Sequence, residues 1–255
     1  MGLDTERNGL MTNATDVVIW SADVDEATLD RVLVHDLPLE LIKLDRLGLT
    51  RMGLAKIGSV QDRGFRVFAD AKIIEIPDKV IEVAKLHLEF RPWMLNVMAG
   101  ICSTGEMTHD DPKKVDALKR FADECHKVGT RPCAVTVLTS KTAYTVFDEF
   151  GRSPEEQVLF YADLLAEAGF TDMVCSPKEA LLIRSDRTFD GLELNCPGIR
   201  LPGSNADDQA RVDTPFAAIA AGVNRVVIGR DLTNGDLCEN FAKVDANLNP
   251  TGGVK

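Results

Sequence analysis

Phe68-Ala69-Asp70-Ala71-Lys72-Ile73-Ile74-Glu75-Ile76-Pro77 decides the reading of this chain. An apolar, β-prone segment at 65–68 runs into it. On a strand, residues i and i+2 point the same way, so Asp70 and Lys72 project side by side from one face. Glu75 follows where the strand is expected to end, and Pro77 suits the first turn of a helix. Two carboxylates and an ammonium therefore collect at one strand's C-terminal tip, which in an α/β protein is where chemistry is done. An ordinary surface salt bridge is the competing reading of the same charges.

Outward from that stretch, apolar runs alternate with helical spacing. Strand-like runs lie at 17–20, 39–44, 93–97, 133–138, 172–175, 192–196 and 226–229, and the opening stretch is the third in order. Helical patterns fall at 26–35, 47–63, 77–88, 113–128, 154–168 (with Ser153 as N-cap), 177–183, 215–221 and 237–244. The strands are apolar on both faces rather than alternating, as expected of a parallel barrel covered by helices. The pattern predicts an α/β chain folded as a single (β/α)8 TIM barrel domain over 1–255, with polar tails at about 1–14 and 246–255. No Gly-x-Gly-x-x-Gly or P-loop motif occurs, which counts against dinucleotide and P-loop folds. The polar segment 102–112 reads as a surface insertion or part of a lid.

Composition narrows the function. The net charge of -11 argues against nucleic acid as a partner. No apolar run approaches the roughly 20 residues of a membrane span, and residues 1–7 lack a signal-peptide core, so no membrane association and a cytoplasmic location are expected. The six cysteines are scattered without metal-ligand spacing and read as buried free thiols in a reducing compartment. The four histidines are equally dispersed, giving no zinc site and no nucleophile–histidine pairing.

In a barrel, residues just past each strand share one mouth. Here they are Asp23 after the first strand, Lys43 at the second, Asp70, Lys72 and Glu75 at the third, and Thr139 at the fifth. Arg200 follows the seventh, with Gln209 further along that loop, and Gly229-Arg230 ends the eighth. Loops after strands seven and eight commonly bind phosphate in this fold. Glycine admits the backbone N–H groups to an anion, and a planar guanidinium binds two oxygens at once. The alternating charges at Lys43, Asp70, Lys72 and Glu75 suit proton delivery, with Lys72 held protonated by carboxylates and acting as a general acid toward a carbanion. A carboxylate pressed against a substrate carboxylate favours loss of CO2, because charge leaves that spot in the transition state.

These residues resemble the orotidine 5'-phosphate decarboxylases. That family carries a lysine and then Asp-x-Lys-x-x-Asp-Ile-Pro, matched here by Lys43 and by Asp70-Ala-Lys72-Ile-Ile-Glu75-Ile76-Pro77. Its later signature reappears as Pro197-Gly198-Ile199-Arg200, Asp208-Gln209-Ala210-Arg211 and Ile228-Gly229-Arg230, and Leu138-Thr139-Ser140 resembles its fifth strand end. The resemblance spans about 15–245. It implies a decarboxylase without metal or cofactor that converts orotidine 5'-phosphate to uridine 5'-phosphate and CO2 in pyrimidine nucleotide biosynthesis. Lys72 would protonate pyrimidine C6, Asp70 would sit beside the departing carboxylate, and Lys43 would hold the network and contact the ribose. The acid at position 75 would come from the other subunit of a homodimer with shared active sites. Thr139 would lie near the pyrimidine, Asp23 would bind a ribose hydroxyl, and Gln209, Gly229 and Arg230, with Arg200 close by, would clamp the 5'-phosphate.

Four departures stand out. Glu75 replaces the family's Asp, and a carboxylate displaced by about 1 Å can cost roughly 100-fold in rate. Lys79 stands where a Thr is usual, Asp23 lies two residues nearer Lys43 than the family spacing, and Asn96-Val97-Met98 lacks the usual His. Two other functions are therefore weighed. One is a metal-dependent sugar-phosphate decarboxylase or aldolase, which shares the Asp-x-Lys-x-x-Asp core but not the Pro-Gly-Ile-Arg signature. The other is a non-catalytic relative that binds a nucleoside monophosphate.

Overall fold

The computed structural model describes residues 12–102, 113–202 and 213–250. Its centre is a closed barrel of eight parallel strands, each hydrogen-bonded to the next and the last to the first. They are β1 (Val18–Ser21), β2 (Leu41–Asp45), β3 (Arg66–Ile73), β4 (Met94–Met98), β5 (Arg131–Val135), β6 (Asp172–Val174), β7 (Glu193–Cys196) and β8 (Arg225–Ile228). Helices lie between them, and the fold is the (β/α)8 barrel that the alternation predicts.

The apolar strands follow from burial on both sides. Outward-facing Val18, Trp20, Ile42, Leu44, Val67, Ala69, Leu95, Val97, Met173 and Val226 pack into one core with the helices. Inward-facing Ile19, Leu41, Phe68, Met94, Cys133 and Val227 form a separate plug inside the barrel. Below that plug, at the strands' N-terminal ends, Arg131 and Arg225 both grip the fully buried Asp172, at 2.8 and 3.1 Å. The guanidiniums of Arg66, Arg131 and Arg225 lie 5.4, 5.9 and 5.0 Å from the Trp93 ring centre. Ions and an aromatic ring thus fill the bottom of the barrel.

Helix starts are set by capping side chains. Asp25 caps Glu26–Val32, and Ser153 forms a full capping box with Glu156 at the start of Pro154–Glu167. Pro77–Leu88 begins on its proline, as predicted. The helix expected over 47–63 is instead two, Arg46–Met52 and Ala55–Gln61, because Gly53 takes a left-handed φ of 81° and ends the first. Ala143–Phe150 is a helix outside the helical patterns of the sequence, held between the Thr142 cap and Gly151 at φ 66°. The last helix runs Leu237–Leu248, one turn beyond the expected 237–244. β3 is longer than its apolar run and carries Asp70 and Lys72 within it. β5 begins and ends earlier than expected, leaving Leu138-Thr139-Ser140 in the loop beyond it.

Candidate active site

The top layer of inward-facing residues is polar where it meets the mouth. β1 ends on Ser21, β2 contributes Lys43, β3 contributes Asp70 and Lys72, and β4 contributes Asn96. A cavity of about 280 Å³ opens above them. Phe68, Val135, Val137, Leu138 and Val174 give it apolar lining, and Pro197, Gly198, Gly229 and Arg230 line the rim after β7 and β8.

Asp70 is the hub. Its Oδ2 accepts from Lys43 Nζ at 2.9 Å and from Lys72 Nζ at 2.5 Å, and its Oδ1 accepts from Asn96 Nδ2 at 2.7 Å. Lys43 Nζ also reaches Asp23 Oδ1 at 3.4 Å, and Ser21 Oγ donates to Asp23 Oδ2 at 2.8 Å. The result is one chain of alternating charge from Asp23 through Lys43 and Asp70 to Lys72. Burial pushes the Asp70 carboxyl up, but the ammoniums of Lys43 and Lys72 outweigh it and hold the group well below the usual carboxylate range. Burial pushes the Lys43 ammonium down, and Asp70 with Asp23 more than reverses that, so Lys43 is raised. Both stay ionised at neutral pH. Lys72 differs in access: its side chain is 37% exposed and faces the cavity, while those of Asp70 and Lys43 are buried beneath it.

Most of the residues expected at the strand ends meet here. Asp23, Lys43, Asp70, Lys72, Thr139, Arg200, Gly229 and Arg230 all line the cavity. Asp23 reaches Lys43 despite its short spacing because the intervening helix, Glu26–Val32, has only seven residues. Glu75 is not brought to this cavity. It is exposed and borders a separate surface pocket with Arg46, Thr50, Ile74 and His87. Arg200 is buried: its Nη1 donates to the Ile199 carbonyl at 3.0 Å, and its Nε lies 4.0 Å from Asp231 Oδ1. The other Asp231 oxygen accepts the Leu201 N–H at 2.7 Å, tying the loop after β7 to the segment after β8. Gln209 lies outside the described residues, as does nearly all of the polar segment 102–112.

Ser21 and Asn96 complete the network but carried no role in the sequence reading. The available signal was position. Each is a small polar residue in an apolar strand buried on both faces, where a polar group requires a partner.

A family model described as orotidine 5'-phosphate decarboxylase / HUMPS family matches residues 39–237, well over half of the chain. The chain is similar to the orotidine 5'-phosphate decarboxylase of Pseudoalteromonas translucida, 40% identical over 178 residues, covering 69% of this chain and 71% of that one. It is similar to that of Haemophilus influenzae at 33% identity over 239 residues, covering 92% and 98%. In fold it resembles the crystal structure of orotidine 5'-phosphate decarboxylase from Lactobacillus acidophilus, with a TM-score of 0.71 at 23% identity over 92% of this chain and 99% of that one.

Proposed function

Since this chain belongs to the orotidine 5'-phosphate decarboxylase / HUMPS family, we propose that it decarboxylates orotidine 5'-phosphate to uridine 5'-phosphate and CO2 in pyrimidine biosynthesis, without metal or cofactor. The observation that carries this reading is the convergence of Lys43 and Lys72 on one oxygen of Asp70 at the cavity floor. Asp70 is fixed as an anion and cannot retreat, so a substrate carboxylate seated against it is destabilised relative to the transition state, in which that charge departs. The bond from C6 to the carboxylate breaks and leaves its electron pair on C6. Lys72 Nζ gives C6 a proton as general acid, and the resulting amine regains one from solvent.

The rim after β7 and β8 supplies the anchor. Gly229 and Arg230 from the end of β8, with Gln209, bind the 5'-phosphate, and Thr139 lies beside the pyrimidine. Asp23 and Lys43 take the ribose hydroxyls. Arg200, engaged with Ile199 and Asp231, braces the two phosphate loops against each other.

The site is completed by a second copy of the chain. Glu75 sits outside its own cavity between Ile74 and Ile76, which are 59% and 62% exposed. An apolar pair at that exposure favours burial against a partner, and a two-fold dimer would carry Glu75 to the neighbouring site. A cytoplasmic location fits the buried free thiols of Cys125, Cys133, Cys175 and Cys196, while Cys238 is free but exposed, against the expectation of burial; among the described residues no helix is long and apolar enough to cross a membrane.

The test is the ultraviolet absorbance of orotidine 5'-phosphate mixed with the purified protein in EDTA. Steady loss of the substrate band is expected. No loss in EDTA, with turnover of a keto-sugar phosphate once magnesium is added, would replace this reading with the metal-dependent one. Tight binding of uridine 5'-phosphate with no turnover of either substrate would replace it with the binding protein.

A further inference from the structure

We propose that Asn96 is a positioning residue for the proton-transfer apparatus, acting through both Asp70 and Lys72. The inference rests on the decarboxylase reading and adds to it a residue outside the charged network.

Asn96 is fully buried in β4, on the face that looks into the barrel. Its Nδ2 donates to Asp70 Oδ1 at 2.7 Å, and its Oδ1 accepts the backbone N–H of Lys72, also at 2.7 Å. The partners settle which end of the amide is which. A carboxylate must receive an N–H and a backbone N–H must find an oxygen, so the side chain has one orientation.

Each contact answers a specific need. The Asp70 carboxylate turns about its last bond, and only one of its oxygens faces the two ammoniums. Asn96 holds Oδ1, which aims Oδ2 at Lys43 and Lys72. The second need is in the backbone. Lys72 has φ of +44°, a left-handed conformation unfavourable for a residue with a Cβ. The β3–β4 register shifts between Ala69 and Ile73, where the regular ladder is interrupted. The Asn96 oxygen takes the half-buried N–H of Lys72 at this interruption, in place of a ladder carbonyl. One amide therefore sets the direction of the Asp70 carboxylate and the backbone angle from which the Lys72 side chain departs.

The experiment compares Asn96→Ala and Asn96→Asp with Lys72→Ala, measuring kcat, KM and uridine 5'-phosphate affinity from pH 5 to 9 on folded protein. Asn96→Ala is expected to lower kcat by about 100-fold, the cost of an ångström-scale misplacement, while product affinity stays within a few-fold. Asn96→Asp keeps the acceptor for Lys72 but can donate to Asp70 only when its own carboxyl is protonated. Burial and the Asp70 charge raise that carboxyl's pKa, so the kcat of Asn96→Asp is expected to fall with rising pH relative to wild type. If Asn96→Ala does not fold, the Asn96→Asp profile decides. A kcat for Asn96→Ala near wild type, or a pH-independent loss in Asn96→Asp, overturns the role of Asn96 while Lys72→Ala remains inactive. Turnover by Lys72→Ala within about 10-fold of wild type, far above the loss expected for a missing general acid, overturns the proton-donor reading instead, whatever Asn96 does.

Discussion

Lys43 and Asp70 form an ion pair of 2.9 Å between adjacent strands, with side chains only 10% and 6% exposed. Two charges at that depth are expensive to bury singly and stable only together. This predicts how stability responds to pH. Asp70 is depressed below its usual 3.8, so its contribution is present above that value and is lost as pH falls through the lower folded one. Lys43 is raised above its usual 10.5, so its contribution is present below that value and is lost as pH rises through the higher folded one. Across the neutral range the pair leaves wild-type stability flat. In Asp70→Asn, burial acts on Lys43 without its main counter-charge and drops its pKa. The unfolded state then binds more protons than the folded one, so stability rises with pH. Urea midpoints between pH 6 and pH 10 are expected to climb for Asp70→Asn, starting about 3–5 kcal/mol below wild type. Parallel profiles for the two proteins would show that Asp70 does not hold the Lys43 charge.

Lys72→Ala separates chemistry from binding. The Lys72 ammonium enters the cavity from β3, whereas Gly229 and Arg230, the proposed phosphate ligands, follow β8. Its removal is expected to lower kcat by at least the 10²–10⁴-fold typical of a lost general acid, and to leave uridine 5'-phosphate affinity within a few-fold. Calorimetric titration with the product checks the second half. An equal loss of turnover and product affinity would make Lys72 a binding residue.

Arg230 follows Gly229 at the end of β8, exposed on the cavity rim. A guanidinium on phosphate contributes roughly 1.5–3 kcal/mol, the range for hydrogen bonds to charged groups. Arg230→Ala is therefore expected to weaken uridine 5'-phosphate by about 10–100-fold and uridine hardly at all. Comparable losses for nucleotide and nucleoside would remove Arg230 from the phosphate site.

The barrel is legible because its strands are buried on both faces and so are written as largely apolar runs, several of them followed by a polar residue at the mouth. Asp70 and Lys72 were legible for the same reason: charge has no place in such a run unless it is used. What escaped depends on contacts across the chain. The length of β3 beyond Asp70 rests on Asn96 of β4, and nothing near residue 72 announces that partner. Arg200 lines the cavity as its position suggests, but its contacts with Asp231 of the segment after β8 and with the Ile199 carbonyl are not written in the sequence around it. The helix Ala143–Phe150 is hidden in the sequence although Thr142 and Gly151 are sound cap residues, because Tyr144 and Phe147 turn outward and blur the apolar stripe.

Glu75 and Lys72 are three residues apart in sequence yet serve different cavities in the dimer reading, and this gives a test that neither residue gives alone. Lys72→Ala and Glu75→Ala are each expected to be inactive, because every site in either homodimer lacks one group. In a mixed dimer, one site combines both substitutions, while the other draws Lys72 from one protomer and Glu75 from its partner and is intact. Random exchange between equal amounts makes half of all dimers mixed, so about a quarter of sites regain activity. Activity should appear on mixing the two inactive proteins after a mild denaturant cycle that allows protomers to exchange. It should vanish on dilution below the dimer dissociation constant. Absence of recovery, with exchange verified by a size or tag difference, would place Glu75 outside the shared site and leave the cavity of a single chain to do the chemistry alone.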